Sequence, residues 1–145
     1  NVSFINSDNA DIVLERIKEG FSHYMGPVWE HICHNWFFKK DVLSSLPFIF
    51  DDIGNWWGGN KATRKQTEID ILVCNEDSAI ICECKWRNEE VGTEVYNKTV
   101  SNGEVINKKN KYYYLFSKSG FTDELKQMVA NNSSVRLITL RDVLS

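Results

Sequence analysis

Two runs of alternating residues around a short polar stretch constrain this chain more than any other feature. Glu68 to Cys74 and Ala79 to Trp86 are rich in strand-forming residues, and Asn75-Glu76-Asp77-Ser78 between them has hairpin composition. Side chains alternate across a strand, so Glu68 and Asp70 share one face of the first run while Ile69, Ile71 and Val73 share the other. In the second run Ile81, Glu83 and Lys85 point one way, and Ile80, Cys82, Cys84 and Trp86 the other. A two- or four-residue turn centred on Glu76 and Asp77 sets Asp70 opposite Glu83 and Glu68 opposite Lys85, provided no bulge shifts the register.

Directly opposed residues have Cβ atoms about 4.5–5.5 Å apart, and like charges there destabilise the pair. A bound cation removes that penalty. Two carboxylates, a strand carbonyl such as that of Cys84, and waters suit Mg²⁺ or Mn²⁺, hard ions that take oxygen ligands. Lys85, two residues from Glu83 on the same face, is placed to hold an attacking water or to steady developing phosphorane charge. The alternative is a solvated sheet face on which Glu68 and Lys85 form a cross-strand ion pair and the two acids merely tolerate each other.

The flanking pattern supplies the rest of an α/β or α+β domain. Asn9 to Glu19 reads as a short amphipathic helix, with Ser7 or Asp8 as cap and Gly20 as its end. A second helix capped by Ser22 carries Val28, Trp29, Ile32, Cys33, Trp36 and Phe37 as a wide apolar face, with Glu30 beside its edge. After Pro47, Phe48 to Ile53 reads as a strand running into Trp56, Trp57 and a Gly58-Gly59-Asn60 turn. Beyond the hairpin come a helix from Thr93 to about Lys108, weakened at Gly103, a strand from Tyr112 to Ser117, and a Thr122-capped helix to about Ala130. A strand from Val135 to Thr139 and a helical turn from Leu140 to Leu144 close the chain. A hairpin followed by two strand-helix-strand crossovers implies a mixed sheet with helices packed on it.

Length and composition fit one such domain: 145 residues, 42% hydrophobic and 26% charged. No apolar run reaches the ~20 residues of a membrane span and no secretory signal opens the chain, so an intracellular, cytoplasmic location is expected. The net charge of −3 gives no global footprint for nucleic acid. Any such binding must be local, with Lys61, Arg64 and Lys65, or Lys108, Lys109 and Lys111, as candidate positive clusters. Cys33, Cys74, Cys82 and Cys84 have no framework spacing and read as reduced, mostly buried thiols. A zinc site using His31, Cys33, His34 and the Cys82/Cys84 pair fits less well, because a one-residue cysteine spacing on a strand is a poor match to a zinc knuckle.

Several spaced motifs then converge on one resemblance. Phe48-(x)5-Gly54-Asn55-Trp56-Trp57, Glu68-Ile69-Asp70-Ile71, Glu83-Cys84-Lys85-Trp86 and Leu115-Phe116-Ser117-Lys118-Ser119-Gly120-Phe121 occur in that order. From about Gly26 onward the chain resembles the C-terminal domain of archaeal-type AAA+ ATPases, which is similar to the PD-(D/E)xK nuclease superfamily. The resemblance implies a restriction-endonuclease-like mixed sheet flanked by helices. It matches Asp70 to the motif's first acid, with Ile69 where the proline stands, Glu83 and Lys85 to the (D/E)xK element, and Glu30 to an acid of the first core helix.

Trp56 and Trp57 are expected to wall a core or cleft, and Ser117 to Phe121 to shape a turn. No GxxxxGK[ST] loop occurs, so the ATPase part of the resembled proteins is missing and the chain reads as a C-terminal piece of a longer ATPase. The activity implied is a Mg²⁺-dependent DNA phosphodiesterase. Asp70, Glu83 and the Cys84 carbonyl would be ligands, Lys85 would orient water, and Glu30 would serve as accessory ligand or base. The rival expectation is a non-catalytic docking or nucleic-acid-sensing module.

Overall fold

The computed structural model describes residues 7–60 and 65–145. Lys61 and Arg64, from the first candidate basic cluster, lie outside the described residues. The sheet has five strands in the order β1 (Asp52–Asn60), β2 (Lys65–Cys74), β3 (Ser78–Lys85), β4 (Asn110–Ser117) and β5 (Val135–Thr139). β1, β2 and β3 run antiparallel, whereas β3, β4 and β5 are parallel. This is the α/β class, with a mixed sheet flanked by helices, that the sequence pattern implied.

The helices cover both faces. On one lie α1 (Ser7–Trp36), α2 (Lys40–Ser45) and α5 (Leu140–Leu144), where Trp29, Cys33, Trp36, Phe37, Val42 and Val143 pack on Ile71, Val73, Ile80, Cys82, Tyr114 and Phe116. On the other lie α3 (Thr93–Gly103) and α4 (Asp123–Val129), whose Val95, Leu125 and Val129 cover Leu115. The two parallel crossovers place these helices on one side, as right-handed connections require. T-shaped contacts of Trp36 with Phe37 and Phe116, with ring centroids 5.1 and 5.3 Å apart, fill the first layer.

Several boundaries differ from the sequence pattern, each for a local reason. The two expected N-terminal helices are one helix of 30 residues, with Gly20, Pro27 and the expected caps Ser7 and Asp8 all inside it. Proline lacks an N–H, so Pro27 removes one intrahelical bond without ending the helix. The helix's C-terminal part is held by the core, but Ile12, Ile17, Phe21 and Tyr24 on its N-terminal half are exposed. β1 starts at Asp52 rather than Phe48 and continues through the glycines, because β2 extends far enough to pair with them up to Asn60↔Lys65.

α3 stops at Gly103, short of the expected Lys108. A Cβ on Gly103 would come within 2.9 Å of the Tyr113 ring, so the missing side chain lets the helix end press against β4. α4 and α5 are capped by side chains, the first by the expected Thr122. Thr122 accepts the Leu125 N–H at 3.2 Å, and Thr139 and Asp142 form a reciprocal capping box.

Candidate active site

The β2–β3 hairpin has the expected register, from Cys74↔Ala79 through Leu72↔Ile81 to Ile71↔Cys82. There the ladder ends. Beyond that point β2 pairs only with β1, and β3 continues against β4 alone. Asp70 and Glu83 are therefore not a ladder pair; they stand on either side of the place where the strands part. The Asp70 carboxylate accepts the Cys84 backbone N–H at 2.9 Å, in the position a carbonyl of β2 would otherwise occupy. A strand residue directs its N–H and C=O to the same neighbour, so the Cys84 carbonyl also faces this opening.

The parting coincides with an extra residue in β2. Gly54 faces Leu72 and Trp56 faces Ile69, so two steps along β1 match three along β2. The consequence is visible in the packing: Ile71 joins the core beneath α1, while Ile69 joins Ile81 and Ile106 on the opposite face. Simple alternation put both isoleucines on one face, and the hairpin register put Glu68 opposite Lys85. That expectation is corrected here. Glu68 instead lies opposite Trp57 of β1.

The result is a cleft of about 280 Å³ lined by Gln66, Thr67, Glu68, Asp70 and Glu83, with Lys98 and Asn102 from α3 closing one side. Asp70 also borders a second opening of about 260 Å³ on the α1 side, with Glu30, His31, His34 and Asn55. Asp70 is thus the hinge between the two. Lys85 pairs not with Glu68, as the solvated-face alternative had it, but within β3, where Lys85 Nζ lies 3.2 Å from Glu83 Oε1.

Electrostatics follow from this crowding. Burial, then the Asp70 charge and a hydrogen bond shared with Asp70, push the Glu30 carboxyl up to about 7. Burial and the Asp70 charge push Glu83 up to about 7 as well, against the pull of Lys85 and Lys98. Asp70 is raised by burial, but the Cys84 N–H, Lys85 and the Glu30 hydrogen bond favour its ionised form.

Neighbouring packing fixes these groups. The Trp29 and Trp86 rings, next in sequence to Glu30 and Lys85, meet at 5.6 Å between centroids. The Ser117 to Phe121 segment forms the expected turn, with Gly120 at φ 87, and ties back to the exit of β3. In it Lys118 N–H donates to the Lys85 carbonyl at 3.1 Å, and Val91 N–H to the Gly120 carbonyl at 2.9 Å.

The thiols do not join the site. All four cysteines are free, and Cys33, Cys82 and Cys84 meet in the apolar core under α1. His31 and His34, with ring centroids 6.4 Å apart, line the opening at Glu30 rather than the thiol cluster, which separates the groups of the zinc alternative. Sequence reasoning missed Lys98 and Asn102, whose i, i+4 spacing on α3 marks a shared face but not what that face meets.

Residues 1–102 match DUF234, a family of archaeal and bacterial proteins of unknown function. The chain belongs to that family. An uncharacterized protein of Methanocaldococcus jannaschii, MJECL04, is 28% identical over 126 residues, which is 81% of this chain and 26% of that protein. The chain thus spans about a quarter of that relative's length. Among solved structures, a protein of unknown function, AF1548, superposes with a TM-score of 0.52 at 16% identity, covering 78% of this chain and 65% of its own. That likeness concerns the fold alone. A DNA modification-dependent restriction endonuclease, AspBHI, overlaps with a TM-score of 0.38 at 14% identity over 81% of this chain and 33% of its own, too slight to carry an argument.

No helix among the described residues is long and apolar enough to cross a membrane.

Proposed function

We propose that this domain is a divalent-metal-dependent phosphodiesterase acting on DNA, attached to an ATPase in a longer protein. One observation carries the reading: where β2 and β3 part, Asp70 and Glu83 line a single cleft, with Lys85 on Glu83 and Glu30 on Asp70. The resemblance to the PD-(D/E)xK superfamily supports the same assignment.

The donor set fits a hard cation. Carboxylates crowded enough to retain protons near neutrality gain from a divalent ion, and Asp70, Glu83 and the Cys84 carbonyl offer the oxygens that Mg²⁺ or Mn²⁺ prefers. Among the described residues no three His, Cys, Asp or Glu side chains gather into a cage of their own. Waters would therefore complete the shell, as is usual for Mg²⁺. When bound, such an ion supplies Lewis acidity at the phosphoryl group.

The chain's own residues would do the rest. Lys85 carries only donors, so its ammonium would turn from Glu83 to a phosphoryl oxygen and stabilise the charge that builds as water attacks phosphorus. Glu30, with its carboxyl near 7 and its link to Asp70, is suited to take the proton released by that water while the bond to the leaving oxygen breaks.

A second reading makes the domain a non-catalytic docking or nucleic-acid-sensing part of a larger protein. What favours it is that the chain spans only 26% of its relative. One experiment separates the two: single- and double-stranded DNA and RNA incubated with Mg²⁺ or Mn²⁺, beside a Glu83→Ala control. Cleavage lost in the control supports the enzyme. Binding without cleavage under every condition supports the module.

A further inference from the structure

Where β2 runs past the end of the β3 ladder, β1 and β2 form a two-stranded arm beside the carboxylate cleft. One face of this arm sends Trp56 and Ile69 into the core. The other face carries Trp57 directly opposite Glu68, with Asn55 two residues before Trp57 and Gln66 two residues before Glu68. These four side chains enclose an opening of about 370 Å³, and Gln66 and Glu68 border the carboxylate cleft as well. Trp57 is 66% exposed, whereas Trp29 and Trp36 are buried.

What sets Trp57 apart from the other exposed apolar side chains is its place, an open ring among polar side chains at the edge of the carboxylate cleft. Among the described residues, the lining is an indole, two amides and a carboxylate. It suits the uncharged part of a nucleotide. The indole offers a flat face to any base, the Asn55 and Gln66 amides offer donors and acceptors, and the Glu68 carboxylate accepts from an exocyclic amino group. A base can lie on that ring only if it has left its own stack, because a paired base presents edges and not faces.

We propose that Trp57 is the stacking platform for an unpaired nucleobase next to the phosphate held in the cleft, so that the substrate class is single-stranded or locally opened nucleic acid. Glu68 and the two amides then favour the bases that bear an amino group, adenine, cytosine and guanine, over thymine, which bears none. This rests on the phosphodiesterase reading for the neighbouring phosphate, and the test separates the two.

Binding is measured in a Lys85→Ala background with Mg²⁺ present, by fluorescence anisotropy of labelled oligo-dA, oligo-dC, oligo-dT and a mixed-sequence duplex, with and without Trp57→Ala or Trp57→Phe. The expected result is tighter binding of single strands than of duplex, with dA and dC above dT. Trp57→Ala should lose roughly five- to hundredfold in single-strand affinity at unchanged melting temperature, and Trp57→Phe should retain most of it. Equal affinity of the Trp57→Ala protein for single strands, duplex preference in the parent, or no binding of any strand overturns the proposal. Trp57-dependent binding with no cleavage by the wild-type protein upholds it while ending the enzyme reading. Cleavage by the wild type with no effect of Trp57→Ala on binding does the reverse.

Discussion

The Asp70 carboxylate takes the Cys84 backbone N–H at 2.9 Å, so a side chain, not a neighbouring strand, satisfies β3 at the point where the sheet opens. That bond holds one acid at the mouth of a cleft whose opposite wall is Glu83, and leaves the carbonyl of Cys84 facing the same gap. The extra residue of β2 supplies the geometry, and the crowding of carboxylates supplies the chemistry.

Stability should depend on pH in an unusual direction. Glu30 and Glu83 rise from an ordinary 4.5 to about 7 in the folded protein, so between those values the native state binds more protons than the unfolded chain. Their contribution is complete below 4.5 and is lost as pH climbs through 7. The metal-free protein should therefore melt lower above that window than below it. Thermal melts across the range should show a shallower slope for Glu83→Gln, and Mg²⁺ should recover stability chiefly on the alkaline side. A slope unchanged by Glu83→Gln would show that this carboxyl does not retain its proton.

The two ends of α1 should respond oppositely to truncation. Trp29 is fully buried among Cys33, Trp86 and the sheet, and Trp29→Ala should cost about 3–5 kcal/mol in chemical denaturation. Ile17 is 61% exposed, and Ile17→Ala should change stability by no more than about 0.5 kcal/mol. A large loss at Ile17 would mean that another surface covers that helix face in solution.

Much of this layout was legible from residue patterns because polar turns and alternating runs fix hairpin register locally. Cys74↔Ala79 and Leu72↔Ile81 follow from the composition of Asn75 to Ser78. The extra residue at Asp70 and Ile71 carries no such mark, since Glu-Ile-Asp-Ile alternates without interruption; only the separation of Ile69 and Ile71 onto opposite faces reveals it. Gly20, Pro27 and the glycines of β1 read as breakers because intrinsic preference is all a sequence displays, whereas pairing and core contacts decided the outcome. Asp70, Glu83 and Lys85 could be found by their spacing. Lys98, Asn102 and the Trp57 face could not, because their role depends on where α3 and the β1–β2 arm come to rest.

The thiols should divide by burial. Desolvation pushes Cys82 and Cys84 well above the ordinary thiol range, and both sit with Cys33 in the core, while Cys74 is only partly covered. Alkylation of the native protein should label Cys74 first and the others only on unfolding. Mass spectrometry of the labelled peptides checks this. Stoichiometric zinc on elemental analysis, lost on mutating Cys82 or Cys84, would instead restore the zinc alternative.

The sharpest division of labour concerns Asp70 and Lys85. Asp70 is the acid that Glu30, Lys85 and the Cys84 N–H all address, and a hard ion in the cleft needs its oxygens. Lys85 in its charged form has no lone pair to give an ion, yet it stands 3.2 Å from Glu83 with donors able to reach a phosphate. Asp70→Ala should therefore abolish both Mn²⁺ binding by calorimetry and single-turnover cleavage. Lys85→Ala should keep Mn²⁺ binding, since it removes a competing cation from Glu83, but lose about 10²–10³ in rate, the usual cost of deleting a group that stabilises developing charge. Loss of Mn²⁺ binding in the Lys85 variant would assign the lysine to holding the site together instead. Equal cleavage by the wild type and both variants would trace the activity to a contaminant and leave the domain without a catalytic role.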